Sequence, residues 1–180
     1  MIISIAGLHG TGKSTIAKQL AETLGYPYYS TGMIFRRLAV ENGMNLEEFS
    51  KYVETHLEID QQIDNTIIEL AKEKENAVFE GQLPTYMIEQ WRDFAILLTC
   101  DDDVRIRRMM ARDQKDFAAQ KQETLVREDS EHRRFKEMYG IDIRDSAKIL
   151  STFNLILDTT QFSIDDVFEI CHSAVSRWMK

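Results

Sequence analysis

Gly7-Leu8-His9-Gly10-Thr11-Gly12-Lys13-Ser14 is the stretch on which the fold turns. It fills every required place of the pattern G-x-x-x-x-G-K-[ST]. It stands between an apolar run, Ile2 to Ala6, and a segment with Ile16, Leu20 and Leu24 on one helical face. Strand, glycine-rich turn and helix in that order make a phosphate cradle. The glycines let the backbone curl so that N–H groups point inward, and the helix adds its positive end. Lys13 is placed to bridge the β- and γ-phosphates of a nucleoside triphosphate, most often ATP, with the Ser14 hydroxyl on Mg2+. The donor site expected from the motif is Gly7, Leu8, His9, Gly10, Thr11, Gly12, Lys13, Ser14 and Thr15. His9 occupies a variable position of the pattern and reads as a bystander rather than a base.

Outward from the loop, short apolar strands alternate with helical periodicity. Strands are expected at Tyr26–Tyr29, at Ala77–Phe79 ending on Glu80-Gly81, at Phe94–Thr99 and at Asn154–Leu157. Helices are expected near 32–42, 46–56 and 58–74, and a last one carries Val167, Cys171, Ala174, Val175 and Trp178 on one face. Strands separated by helices imply an α/β fold, a five-stranded parallel sheet with helices on both faces and ligands at the strands' carboxyl ends. The 180 residues suit a single domain, and no repeat or linker interrupts them.

Charge adds a second signal. With 22 Lys+Arg against 30 Asp+Glu the net charge is −8, which speaks against a dedicated nucleic-acid binder. No run approaches the roughly 18 apolar residues of a membrane helix. The first residues have no basic n-region, and two cysteines make no disulfide framework, so a reduced cytoplasmic setting is expected. The charge is also uneven. Arg105 to Lys136 carries ten basic and six acidic residues, and seven of the twelve arginines fall between Arg105 and Arg134. A solvated helix laced with ion pairs is one explanation. A concentrated anion site is the other, because the guanidinium fork suits phosphate.

The chain lacks the Asn-Lys-x-Asp stretch of GTPases and is too short for a motor ATPase. A small phosphotransferase remains, and it needs an acceptor pocket. Ser30-Thr31-Gly32-Met33-Ile34-Phe35-Arg36 resembles the element that follows the second strand in nucleoside monophosphate kinases. Phe35-Arg36-Arg37-Leu38-Ala39, Gly43-Met44-Asn45-Leu46-Glu47-Glu48-Phe49, Glu58-Ile59-Asp60, Ile63-Asp64 and Tyr139-Gly140-Ile141-Asp142-Ile143 are similar to the archaeal-type cytidylate kinases, over the chain to about residue 170.

That resemblance implies a P-loop kinase fold and a monomeric enzyme that moves a phosphoryl group from ATP to a nucleoside monophosphate, CMP or dCMP, with no nucleic-acid or membrane partner. It implies monophosphate-binding helices over about 31–75 and a mobile lid over about 112–127, with 112–122 polar and poorly patterned. By the same resemblance Arg36 grips the acceptor phosphate, with Arg37 the weaker of the pair, and Ser30, Thr31, Gly32, Gly81 and Gln82 shape the acceptor pocket. Glu80 holds a water on Mg2+, as a carboxylate beside the P-loop strand suits. Gly81 lets a substrate approach the backbone. Arg108 and Arg112 enter the lid, and Arg127 and Arg134 return from it on one helix face. Arg105, Arg107 and Arg133 are expected as surface ion pairs. Asp60 and Asp64 are candidate base contacts.

The chain departs from the family in two places. Gln82 stands where an arginine is usual, and Lys13 is present where it is often replaced. Adenylate kinase is the nearest rival, but its Gly-Phe-Pro-Arg element is absent, and Gly81-Gln82-Leu83-Pro84 stands there instead. A dephospho-coenzyme A kinase has no comparable matches, and an RNA-associated ATPase would draw on the basic segment alone.

Overall fold

The computed structural model describes residues 1–179, the side chain of Glu47 excepted. β1 (Ile2–Ala6) runs through the glycine loop into α1 (Lys13–Leu24), and β2 (Tyr28–Ser30) follows. Next come α2 (Thr31–Glu41), α3 (Leu46–Glu54) and α4 (Leu57–Glu73), then β3 (Ala77–Glu80) and the one-turn α5 (Pro84–Met87). β4 (Phe94–Thr99) leads into a helical hairpin, α6 (Asp102–Asp113) and α7 (Phe117–Tyr139). The described chain closes with α8 (Ser146–Thr152), β5 (Leu155–Asp158) and α9 (Ile164–Trp178).

The expected sheet is present, parallel throughout and in the order β2-β3-β1-β4-β5. Strand ends differ by a residue or two. β2 starts at Tyr28 because Pro27 has no N–H for the ladder, although its carbonyl accepts from Val78. β3 continues through Glu80, in register with both Ile5 and Ser30.

Period-two alternation divides the core between the two faces. Ile3, Ile5, Val78, Ile96 and Leu98 pack with Ile16 and Leu20 of α1 and Val167, Cys171 and Val175 of α9. On the opposite face Ile2, Ala77 and Phe79 meet Ile67 and Ala71 of α4, and Ala6 and Ala95 meet Leu83, Tyr86 and Phe153. A satellite cluster of Ala39, Phe49 and Val53 ties α2, α3 and the start of α4 together beside the sheet. The central strand thus delivers the glycine loop to the middle of the carboxyl edge, between the ends of β3 and β4, where such sheets bind ligands.

The stretch 112–122 was expected as part of the lid. It is helix except for a short break. Gln114 ends α6 in the left-handed region (φ 55°), and Asp116 starts α7 by accepting from the N–H groups of Ala118 and Ala119. A good N-cap followed by Ala-Ala-Gln-Lys-Gln favours helix, and a polar composition alone does not oppose it.

Candidate active site

The loop takes its shape from Gly10 (φ 82°) and Gly12 (φ 93°), both in backbone conformations that side chains disfavour. Gly10 is needed for space as well, since a Cβ there would sit 2.5 Å from the Arg105 carbonyl oxygen. Lys13 is 9% exposed, and its Nζ donates to the Leu8 carbonyl (3.2 Å) and lies 3.9 Å from Glu80 Oε1. Burial pulls the Lys13 ammonium below its ordinary value, and the Glu80 and Glu131 carboxylates oppose that pull. The Thr11 hydroxyl donates to the same Leu8 carbonyl, while Ser14 and Thr15 stand exposed in the first turn of α1.

Glu80 is buried and held from one side. Its Oε2 accepts from the Ser30 hydroxyl (2.6 Å) and the Tyr28 hydroxyl (2.9 Å), which leaves Oε1 facing Lys13. Burial and the Glu80 charge push the Tyr28 hydroxyl above its usual range. Ser30 was expected at the acceptor, but its side chain is turned onto Glu80. The register Ser30↔Glu80 puts the two side chains on the same face of adjacent strands. The Ser14 hydroxyl and the Glu80 carboxylate are hard-oxygen groups of the kind Mg2+ takes.

Gly81 also differs from expectation. A Cβ there would collide with the Thr31 hydroxyl and come within 2.8 Å of the Pro84 ring. The glycine accommodates the chain's own close packing between β3 and the start of α2. On α2, the exposed Arg36 folds back over Gly32, its Nη1 3.5 Å from where a Cβ would be. Arg37 points away and pairs with Glu41 on the outer surface.

The arginines do not gather at one point. Arg108 donates to the hydroxyl (3.0 Å) and carbonyl (2.8 Å) of Thr159, whose hydroxyl in turn donates to the Thr11 carbonyl of the loop. Arg127 donates its Nε to Glu131 (2.8 Å) and lies over the Phe35 ring of α2. Arg134 donates to Asp60 (2.7 Å) and to Ser130 (2.8 Å). Arg112 is 70% exposed and turned onto its neighbour Asp113.

Arg105 is not the surface residue its surroundings suggested. It is 1% exposed and bound in bidentate fashion to Glu128. It also donates to the His9 carbonyl, while the His9 N–H donates to Glu128 (3.1 Å). One buried ion pair therefore clamps both backbone groups of His9, and the His9 N–H is taken up by a carboxylate. Arg107 and Arg133 are exposed, as expected, but neither makes an ion pair among the described residues, and Arg107 lies over the Phe117 ring instead.

Glu131 went unnoticed in the sequence, and with it the part that the His9 ring plays. The His9 ring donates to Glu131 Oε2 (2.9 Å), and Gln82 Nε2 donates to the same oxygen. Burial alone would raise the Glu131 carboxyl, but the His9 ring and the Arg127 guanidinium bring it well below the usual carboxylate range. The available signal was a polar stripe at helical spacing, Gln120, Thr124, Glu128 and Glu131. Asp60 and Asp64 lie one turn apart on α4, with Asp64 accepting from the Tyr139 hydroxyl (2.8 Å). Burial raises both carboxyls, and that of Asp64 reaches about 7.

Comparison with known proteins agrees with this geometry. The family described as "AAA domain" matches residues 3–136. The cytidylate kinase of Methanocaldococcus jannaschii is 40% identical over 183 residues, covering 100% of both chains. That of Pyrobaculum aerophilum is 39% identical and covers 94% of this chain and 90% of its own. That of Archaeoglobus fulgidus is 39% identical, covering 97% and 94%. Among solved structures, shikimate kinase from Bacteroides thetaiotaomicron superposes with a TM-score of 0.63 at 13% identity, covering 98% of each chain. Shikimate kinase from Acinetobacter baumannii, solved with shikimate, superposes at 0.62 with 18% identity, covering 99% of this chain and 95% of its own. At those identities the structural likeness establishes the fold.

Proposed function

The chain belongs to the cytidylate kinases, within the AAA-domain family of P-loop proteins, and from that premise we infer that it converts CMP to CDP with ATP. The observation that carries this is the meeting, at one sheet edge, of the glycine loop with Lys13, the β3 carboxylate Glu80 3.9 Å away, and the acceptor helix α2 that starts directly after β2.

An oxygen of the CMP phosphate attacks the γ-phosphorus of ATP, the bond to the β–γ bridging oxygen breaks, and ADP leaves. Two polyanions must be brought in line, so positioning and charge stabilisation supply most of the rate. The loop from Gly7 to Thr15 cradles the donor, and Lys13 holds its β- and γ-phosphates. Ser14 and Glu80 are the residues that would hold Mg2+, which when bound neutralises phosphate charge. Arg36, with Thr31, Gly32 and Gln82, serves the acceptor, and Gly81 gives the start of α2 room to pack against β3. Ser30 and Tyr28 orient Glu80.

The α6–α7 hairpin acts as the lid, and Arg108, Arg112, Arg127 and Arg134 approach the phosphates from it. Arg127 is the best supported of the four: it lies over Phe35 of α2 and is bonded to Glu131, which the His9 ring of the loop also contacts. We take the enzyme to be a cytoplasmic monomer with no nucleic-acid partner. Cys100 and Cys171 are free, and no helix among the described residues is long and apolar enough to cross a membrane.

ADP release measured with CMP, dCMP, UMP, AMP and GMP tests the function. CMP or dCMP should be turned over fastest. Negligible rates with every monophosphate would refute it, and a preference for AMP would move the chain to adenylate kinase chemistry.

A further inference from the structure

Three groups from three separate elements converge on the Glu131 carboxylate. Arg127 on α7 donates its Nε to Oε1 at 2.8 Å. The His9 ring, at the apex of the phosphate loop, donates to Oε2 at 2.9 Å, and Gln82, just after β3, donates to the same oxygen at 2.5 Å. The Glu131 side chain is 12% exposed, and the charge it carries reaches Lys13.

A carboxylate in a pocket built for phosphates is costly, because it repels the substrates. Something must offset that cost, and the position of Arg127 indicates what. Its guanidinium is held only at the neck. Neither Nη1 nor Nη2 has a hydrogen-bond partner among the described residues, and the planar group lies 5.8 Å from the Phe35 ring centroid. The other arginines proposed for the lid are held differently. Arg112 is chelated by Asp113 through Nε and Nη2, Arg108 uses both terminal nitrogens on Thr159, and Arg134 spends Nε and Nη1 on Asp60 and Ser130. A fork gripped through Nε, backed by a ring and open at both tips, has lost the rotamer freedom that phosphate binding would otherwise remove.

We propose that Glu131 is the positioning residue for Arg127: it fixes the guanidinium at Nε, so that the free fork spans the gap between the donor phosphates on the loop and the acceptor phosphate beside α2. His9 and Gln82 hold the second carboxylate oxygen, which ties α7 to the loop and to the end of β3 in a single register. Gln82, which stands where an arginine is usual, thereby acts on the phosphates through Glu131 rather than through a charge of its own. This inference rests on Arg127 contacting the phosphates.

A double-mutant cycle tests it, with kcat and KM for ATP and CMP and melting temperatures measured on E131A, R127A and E131A/R127A. R127A and E131A should each lower kcat roughly 10- to 100-fold, while both KM values stay within about threefold. The double variant should be no slower than R127A, because an anchor without its arginine has nothing to position. E131Q keeps an oxygen that can accept from Nε and should recover several-fold over E131A. If E131A does not fold, E131M completes the cycle under the same criteria. Wild-type kcat in E131A, or losses that multiply in the double variant, would overturn the positioning role alone. Wild-type kcat in R127A would overturn it together with the role assigned to Arg127.

Discussion

Arg105 and Glu128 face each other in the interior as a two-pronged pair, Nη1 to Oε1 at 2.7 Å and Nη2 to Oε2 at 2.9 Å, each almost fully buried. The pair stands behind the phosphate loop and holds the N–H and carbonyl of His9. Removing one partner leaves an uncompensated buried charge, so R105M should cost about 3–5 kcal/mol in a denaturant titration. R105M/E128L should regain most of that stability while KM for ATP stays raised, because His9 has lost both backbone partners. Stability and donor binding would then separate in one pair of variants.

Lys13 gives the most direct test of the donor site. K13A should lower kcat by about 10²–10³-fold or more, with the far-UV circular dichroism spectrum unchanged. A fully active K13A would contradict the proposed chemistry.

Gly81 is packed against Pro84 and Thr31. In G81A the new methyl group must push α5 or the start of α2 outward, at about 1–3 kcal/mol. A rise in KM for CMP that exceeds the rise for ATP would mark α2 as the side that yields.

Asp64 makes stability depend on pH. Its carboxyl is raised from 3.8 to about 7, chiefly by burial, so the folded state keeps a proton that the unfolded chain gives up. The stabilisation is complete below about pH 4, is lost as pH rises towards 7 and levels off above, with a ceiling of about 4 kcal/mol. D64N retains an oxygen for the Tyr139 hydroxyl and has no charge to bury. Its melting temperature minus that of the wild type should therefore be larger at pH 8 than at pH 5.

The two thiols should respond differently to alkylation. Cys171 is buried in the main core, and burial pushes its thiol up to about 12. Iodoacetamide at neutral pH should label Cys100 in the folded protein and reach Cys171 only in denaturant, as mass spectrometry of the peptides would report.

Much of the fold was legible because apolar spacing reports it directly. Ile2 to Ala6 and Phe94 to Thr99 are strands buried on both faces, and Ile16 and Leu20 mark the side of α1 that meets them. The α6–α7 hairpin was not legible in that way. The buried face of α7 is Gln120, Thr124 and Glu128, so hydrophobic periodicity does not reveal it. Arg105 looks like any other member of a basic segment until the fold brings Glu128, 23 residues away, against it. The glycine loop, Lys13 and Glu80 could be read because a local motif or a strand end positions each of them. The His9 ring and Glu131 could not, because their meeting spans 122 residues of chain.

The three-residue strand β2 lies at the sheet edge and pairs only with β3. Its Tyr28 and Ser30 supply both hydroxyls to Glu80, and the next residue, Thr31, is the first of α2. If β2 frays, Glu80 loses its partners and α2 loses its mooring in the same event. Donor and acceptor sites thus share one local unfolding unit, so ATP or CMP alone should slow amide exchange across residues 28–31, including positions that neither nucleotide touches.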